Sequence, residues 1–179
     1  MVDERTANEE VRALFARYRE RFARADLPGI VLCFATNPGL LKGMLEIAEK
    51  LLFGESLLGR RHKEMIATYI SRQNACPYCA DSHSALLGAE GGSPEMICAL
   101  QNGELDAQLF TSAELALLNF AGKVNANSSA VTRADMETAT RAGWTEAQVA
   151  EAVHIASLFA AFNRIANGFG LPSPYPGSL

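Results

Sequence analysis

Residues Thr145–Pro172 read TEAQVAEAVHIASLFAAFNRIANGFGLP. The stretch opens on Thr145 with Gln148 three places on, a capping box in which two side chains satisfy backbone N–H groups at a helix start. An apolar-rich run follows, and Gly168, Gly170 and Pro172 close it. A long helix is therefore expected from about Glu146 to Asn167. The same signals recur towards the N-terminus. Thr111 with Glu114 and Thr132 with Asp135 make two more cap pairs, while Pro38 and Pro94 sit where a first helical residue belongs. Gly54, Gly88, Gly103 and Gly143 supply stops. Val11, Leu14, Phe15, Tyr18 and Phe22 recur at helical spacing within a first helix expected from about Arg5 to Arg24. Further helices are expected from about Leu57 to Gln73 and from Pro77 to Gly88. No stretch alternates with a period of two, so no strand is expected. The fold class is all-α with seven to eight helices. One domain is expected over 1–179, with 1–36 as an N-terminal helix and connector and 171–179 as an extended, proline-rich tail.

Composition narrows the partners. The chain has 179 residues, 49% hydrophobic and 20% charged, which is ordinary for a globular domain and excludes a disordered one. Sixteen Lys+Arg against twenty Asp+Glu leave a net charge of −4, so no nucleic acid partner is expected. The longest apolar run, Leu27–Ala35, is interrupted by Pro28 and Gly29 and is far short of the roughly 20 residues that span a bilayer. With no apolar run behind Met1-Val2-Asp3 to suggest a signal peptide, a cytoplasmic protein with no membrane partner is expected. Arg12, Arg17, Arg19, Arg21 and Arg24 give the first helix a basic side, read as solvated or subunit-facing and balanced by Glu9, Glu10 and Glu20. Four cysteines in such a chain read as reactive or metal-binding thiols rather than as a disulfide framework.

The chemistry concentrates in Asn74-Ala75-Cys76-Pro77-Tyr78-Cys79-Ala80-Asp81-Ser82-His83. Pro77 suits the first helical position, which makes Cys76 the N-cap and puts Cys79 in the first turn. The unpaired N–H groups and partial positive charge of a helix start favour thiolate, the reactive form. Two thiols three residues apart there can close a small disulfide. His83, four residues beyond Cys79, lies over it and can take or return a proton. The helix start favours Cys76 for the lower pKa; the neighbour at i+4 favours Cys79. A short joint at Asn74-Ala75 suits an antiparallel helix pair. At 1.5 Å per residue, Glu64 lies roughly 16 Å back from that joint and His83 roughly 12 Å forward, at similar heights. The small residues Ala67, Thr68 and Ser71 share the Glu64 face and permit close approach. A carboxylate holding an imidazole fixes its tautomer and strengthens it as a base.

Glu64 followed, after eleven residues, by Cys76-x-x-Cys79-x-x-x-His83 resembles the alkylhydroperoxidase D-like (AhpD-like) family within the carboxymuconolactone decarboxylase superfamily. The strong part of the match runs over about 60–87; Asn163-Arg164 in the last helix also agrees. The resemblance implies an AhpD-like helical subunit that assembles as a trimer or hexamer and a thiol peroxidase with no bound cofactor. Hydroperoxide would be its substrate, and an unidentified dithiol its electron donor. By position, Cys79 would be the peroxidatic cysteine and Cys76 the resolving one, with His83 and Glu64 as the proton relay. The pattern departs at Tyr78, where some members carry a histidine; a phenol does not titrate near neutral pH.

Other readings stand beside this one. The cysteine pair could be two core residues, or both thiols, His83 and Glu64 could ligate zinc. A thioredoxin-like site is excluded because no βαβ pattern surrounds the motif. Two further functions fit the scaffold: a decarboxylase or lactone-processing enzyme, whose relatives do not rely on a cysteine pair, and a non-catalytic redox sensor or partner-binding protein. Cys33 and Cys98 are expected to be buried small hydrophobes. His154 is expected to be a hydrogen-bonded core residue, and His62 to lie on the surface. The sequence leaves open whether Asn163 and Arg164 face the site.

Overall fold

The computed structural model describes residues 1–23 and 25–174. Among them nine α-helices form: α1 (Glu9–Phe22), α2 (Gly29–Phe34), α3 (Pro38–Ile47), α4 (Arg60–Gln73), α5 (Pro77–Ala89), α6 (Pro94–Asn102), α7 (Ser112–Asn127), α8 (Arg133–Arg141) and α9 (Glu146–Gly168). No strand occurs among the described residues. The class is all-α.

Helix starts follow the local chemistry. Reciprocal capping boxes open α7, α8 and α9 at Thr111/Glu114, Thr132/Asp135 and Thr145/Gln148. Pro38, Pro77 and Pro94 each occupy the first turn of their helix. The first helix starts later than expected because the Asn8 side chain accepts from Val11 N–H at 2.9 Å; a separate 3-10 turn covers Glu4–Thr6. The helix expected from Leu57 starts at Arg60 for a related reason. The N–H groups of Leu57 and Leu58 point at the Glu151 carboxylate, 2.9 and 3.4 Å away, instead of continuing a helix. Leu27–Ala35, taken as a connector, contains the short helix α2.

The helix that Pro38 opens, with Gly54 as its stop, is not uniform. It continues past α3 as a π-helix over Ala48–Phe53 and ends at Gly54. A Cβ at Gly54 would come 2.7 Å from the Glu49 carbonyl oxygen, so a side chain there would clash with backbone. The Gly54 carbonyl accepts from Lys63 Nζ at 2.9 Å. Lys63 is fully buried and lies 3.8 Å from Glu151, which ties the 54–58 loop to α4 and α9. Burial lowers the Lys63 pKa, and the nearby Glu151 partly opposes that shift.

Helix α4 is central, packed on α5, α6, α7 and α9. Its nine consecutive residues Lys63–Ser71 are all buried. Helix α9 is long and apolar enough to cross a membrane by length and composition, but half of that window is buried. Val149, Ala152, Ile155, Ala156 and Phe159 of α9 are fully enclosed in the core.

On α1, Val11, Phe15 and Tyr18 are buried within the chain's own core. The basic side of α1 is matched differently from expectation. Arg17 and Arg21 reach Glu49 at 3.5 and 2.7 Å, and Arg19 reaches Glu4 at 2.6 Å. Arg24 and residues 175–179 of the expected tail lie outside the described residues; 171–174 form neither helix nor strand.

Candidate functional site

The turn between α4 and α5 carries the dithiol. Asn74 caps α4, and Ala75 then adopts a left-handed backbone with φ of 49°. Cys76 N–H returns to the Ser71 carbonyl at 2.9 Å, and Ala75 N–H to the Arg72 carbonyl at 3.0 Å, completing a C-terminal cap. Cys76 is then the N-cap of α5, with Pro77 in the first turn. Both thiols are free and buried.

The relay pair meets as the antiparallel geometry requires. His83 Nδ1 lies 2.5 Å from Glu64 Oε2. Glu64 is 1% exposed, so the surface-acid reading fails. Burial acts to raise its carboxyl, but the charges and hydrogen bonds of His83 and then Arg60 outweigh burial and hold it below its ordinary value. The His83 ring stands edge-on to Phe159, centroids 4.6 Å apart at 90°, which fixes the imidazole plane.

The thiols themselves are asymmetric. Cys76 is lowered to about 7, chiefly by the hydrogen bond with the Cys79 side chain; burial opposes the shift and the Asn163 side chain supports it. Cys79 is driven up by the same interaction and by burial. Cys76 is thus the more readily ionised of the pair, through its bond with Cys79. Access runs the other way: Cys79 and His83 together line a cavity of about 110 Å³, from which Cys76 is absent. Tyr18, Phe22, Phe159 and Phe162 give that cavity an aromatic wall, closed by Leu52 and Phe53 of the π-helix. Tyr78, in the position where histidine was considered, accepts from Ile30 N–H at 3.2 Å and pins α2 to α5. Burial pushes its phenol up.

Several participants were not picked out from the sequence. Arg60 Nε donates to Glu64 Oε1 at 2.5 Å, and its guanidinium sits 4.3 Å from the Phe53 ring centre. The spacing Arg60–Glu64, four apart on a helix, was the available signal. Asn163, left undecided, is fully buried and donates to Ser71 Oγ at 2.9 Å. Asn74 donates to Asn163 and Asn125 at 3.0 and 2.9 Å, and Asn167 donates to the carbonyls of Asn74 and Ala75 at 3.4 and 3.3 Å. These amides hold the dithiol turn. Arg164 instead is exposed and donates to the Ala160 carbonyl of its own helix.

Other expectations need correction. Cys98 is exposed, on the outer side of α6. His154 is exposed rather than a core residue, because it falls on the solvent side of α9. His62 is half-buried, its ring edge-on to Trp144 at 5.0 Å and its pKa lowered first by burial. Cys33 is buried as expected, but in one cluster with Cys76, Tyr78 and Cys79. Among the described residues, no three His, Cys, Asp or Glu side chains converge as a metal-ligand set.

An all-helical fold with a buried Cys-x-x-Cys turn, backed by a His–Glu pair, defines the class. Over residues 38–123 the chain is similar to the Carboxymuconolactone decarboxylase family, whose family model matches there. Over 88 residues it is 34% identical to the alkyl hydroperoxide reductase Rv2159c of Mycobacterium tuberculosis, covering 49% of this chain and 24% of that protein. The match thus spans about a quarter of the curated relative's length. Among solved structures, a peroxidase-related protein with an alkylhydroperoxidase AhpD core from Ralstonia eutropha JMP134 superposes with a TM-score of 0.85 at 24% identity, covering 96% of this chain and 89% of that one. A variant of the debrominase Bmp8 in complex with 2,3,4-tribromopyrrole gives a TM-score of 0.72 at 17% identity, covering 94% and 87%. These structural likenesses carry the fold.

Proposed function

We propose that the protein is a thiol peroxidase that reduces organic hydroperoxides through a Cys76/Cys79 disulfide cycle. The observation that carries this reading is the Glu64–His83 contact of 2.5 Å behind a cysteine that opens into an apolar cavity. The dithiol shares its proton, so one sulfur reaches thiolate near neutral pH. Cys79 attacks because it is the sulfur that shares the cavity with His83. As its sulfur attacks the outer oxygen of ROOH, the Cys79 thiol proton passes to His83, the O–O bond breaks, and the departing alkoxide takes that proton from the His83 ring to leave as ROH. Cys76 then attacks the sulfenic sulfur, the S–S bond forms and the oxygen leaves as water. An external dithiol reduces the disulfide. Glu64 keeps the imidazole oriented, and Arg60 keeps Glu64 ionised.

A cytoplasmic setting rich in thiol reductants suits such a cycle. Assembly into a trimer or hexamer belongs to the same proposal. The exposed Leu40 and Ile47 of α3 line an apolar groove with Leu158 and Ile165 of α9, which a second copy would cover.

The aromatic wall supports a second reading, in which the same two electrons replace a halogen on a small ring: R–Br and two thiols give R–H, a disulfide and HBr. One assay separates the readings. Purified protein is given cumene hydroperoxide, hydrogen peroxide or a bromopyrrole, with dithiothreitol as donor and Cys79→Ser as control. Peroxide turnover that vanishes in Cys79→Ser is expected; bromide release without peroxide turnover would shift the assignment to the second reading. Absence of both reactions, with Cys76 and Cys79 still reduced by mass, would sink both.

A further inference from the structure

The dithiol has a second approach. Cys76 lines a separate cavity of about 170 Å³ with Arg72, Pro77, Ala80, Asp81 and Gln101, and this cavity shares no lining residue with the one at Cys79. Helix geometry explains the separation. At about 100° per residue, Cys76, Pro77, Ala80 and Asp81 occupy one half of α5, whereas Tyr78, Cys79, Ser82, His83 and Leu86 occupy the other. The two surroundings differ in chemistry. Around Cys79 the wall is aromatic and aliphatic. Around Cys76, Asp81 is buried and held by Gln101 at 3.3 Å and by the Ser173 hydroxyl, while the exposed Arg72 makes no ion pair among the described residues. Arg72, Ala75 and Pro77 are exposed and open this cavity to solvent.

We propose that the two halves of α5 divide the catalytic cycle: the oxidising substrate reaches Cys79 through the apolar cavity, and a hydrophilic, anionic thiol reductant reaches Cys76 through the cavity edged by Arg72. This rests on the peroxidase reading for its direction of electron flow. The reductant's thiolate attacks the Cys76 sulfur, the Cys76–Cys79 bond breaks, and a mixed disulfide forms on Cys76. Cys79 leaves as thiolate beside His83 and takes up a proton there, the one the reductant's thiol lost to solvent. A second thiol of the reductant attacks the reductant's sulfur in the mixed disulfide and releases Cys76. The reductant ends as its disulfide and the enzyme as its dithiol, so two electrons and two protons are conserved. Separate approaches let the reductant act without entering the hydroperoxide cavity.

The test needs no peroxide and is therefore independent of the peroxidase assay. Cys79→Ser and Cys76→Ser proteins are treated with sulfonatoethyl, trimethylammonioethyl and benzyl methanethiosulfonates, and labelling of each cysteine is followed by peptide mass. The anionic reagent should label Cys76 about tenfold faster than the cationic one, a preference that Arg72→Glu reverses. The benzyl reagent should favour Cys79. In the wild-type disulfide form, reduction by 2-mercaptoethanesulfonate should slow about tenfold in Gln101→Trp and change little in Leu86→Trp, because exchange rates follow access to the attacked sulfur. The same order of reagents at both cysteines, or slowing by Leu86→Trp and not by Gln101→Trp, overturns the division. Loss of peroxide turnover with these preferences intact would strike the peroxidase reading alone.

Discussion

The α4–α5 hairpin and the α1–α3 segment both line the cavity at Cys79, but they are held by different forces. The hairpin is fixed by directional contacts: the Glu64–His83 and Arg60–Glu64 pairs, the amides around Asn74 and Asn163, and the cap at Ala75. The α1–α3 side meets the cavity through apolar packing, with Tyr18 against Phe22 at 4.9 Å and Phe22 against Phe53 at 4.7 Å, while its ion pairs to Glu49 lie outside the cavity lining. Hydrogen bonds fix distances and proton positions to tenths of an ångström; dispersion fixes volume. On the proposed function, the chemistry sits where direction is controlled, and selection of the substrate's body sits where packing sets the volume.

Four changes press on that division. His83→Ala should have the largest effect, lowering peroxide turnover by about 10²–10⁴-fold, the usual loss on removing a general acid–base. Stopped-flow consumption of cumene hydroperoxide reads it, and a loss below threefold would take the relay away from the hairpin. On the apolar side, Phe22→Ala should raise KM for cumene hydroperoxide by about 10–200-fold, the range for lost contacts in an apolar pocket, with little change for hydrogen peroxide. Equal losses for both peroxides would mean that α1 does more than shape the cavity.

The pH dependence comes next in size. With Cys76 lowered to about 7, the dithiol is protonated below that pH and unreactive. Iodoacetamide alkylation should therefore rise about tenfold per unit below pH 7 and level off above it. A profile centred near 8.5, the free-thiol value, would deny the shared proton. The smallest effect concerns Ala75. Its left-handed φ of 49° costs a residue with a Cβ about 1–2 kcal/mol, so Ala75→Gly should raise Tm by about 2–4 °C per kcal/mol recovered, read by calorimetry. An unchanged or lower Tm would show that glycine's added freedom in the unfolded chain offsets the relief.

The sequence carried whatever depends on neighbours along the chain. Cap pairs at Thr111, Thr132 and Thr145 are local, and each opens a helix in the structure. The Glu64–His83 meeting was legible too, because one short joint and a fixed rise per residue determine it. What escaped was long-range or marginal. Asn74 and Asn163 meet across 89 positions, which no periodicity announces. Helix α2 has only six residues and no side-chain cap, with Pro28 and Gly29 masking it. Cys98 and His154 were placed inside because their neighbours are apolar, yet on a helix the adjacent residue points about 100° away.

The π-helix over Ala48–Phe53 has a consequence for how this cavity can vary. A π turn behaves as one extra residue threaded into an α-helix, so removing one residue from it restores ordinary winding. The change in register would be confined to the turn itself and the residues at its end. Leu52 and Phe53 would rotate out of the cavity wall, and Arg60 would lose the ring it rests on, with no residue of the dithiol turn altered. In this chain, length at one position would therefore set the shape of the cavity wall independently of the sulfur end.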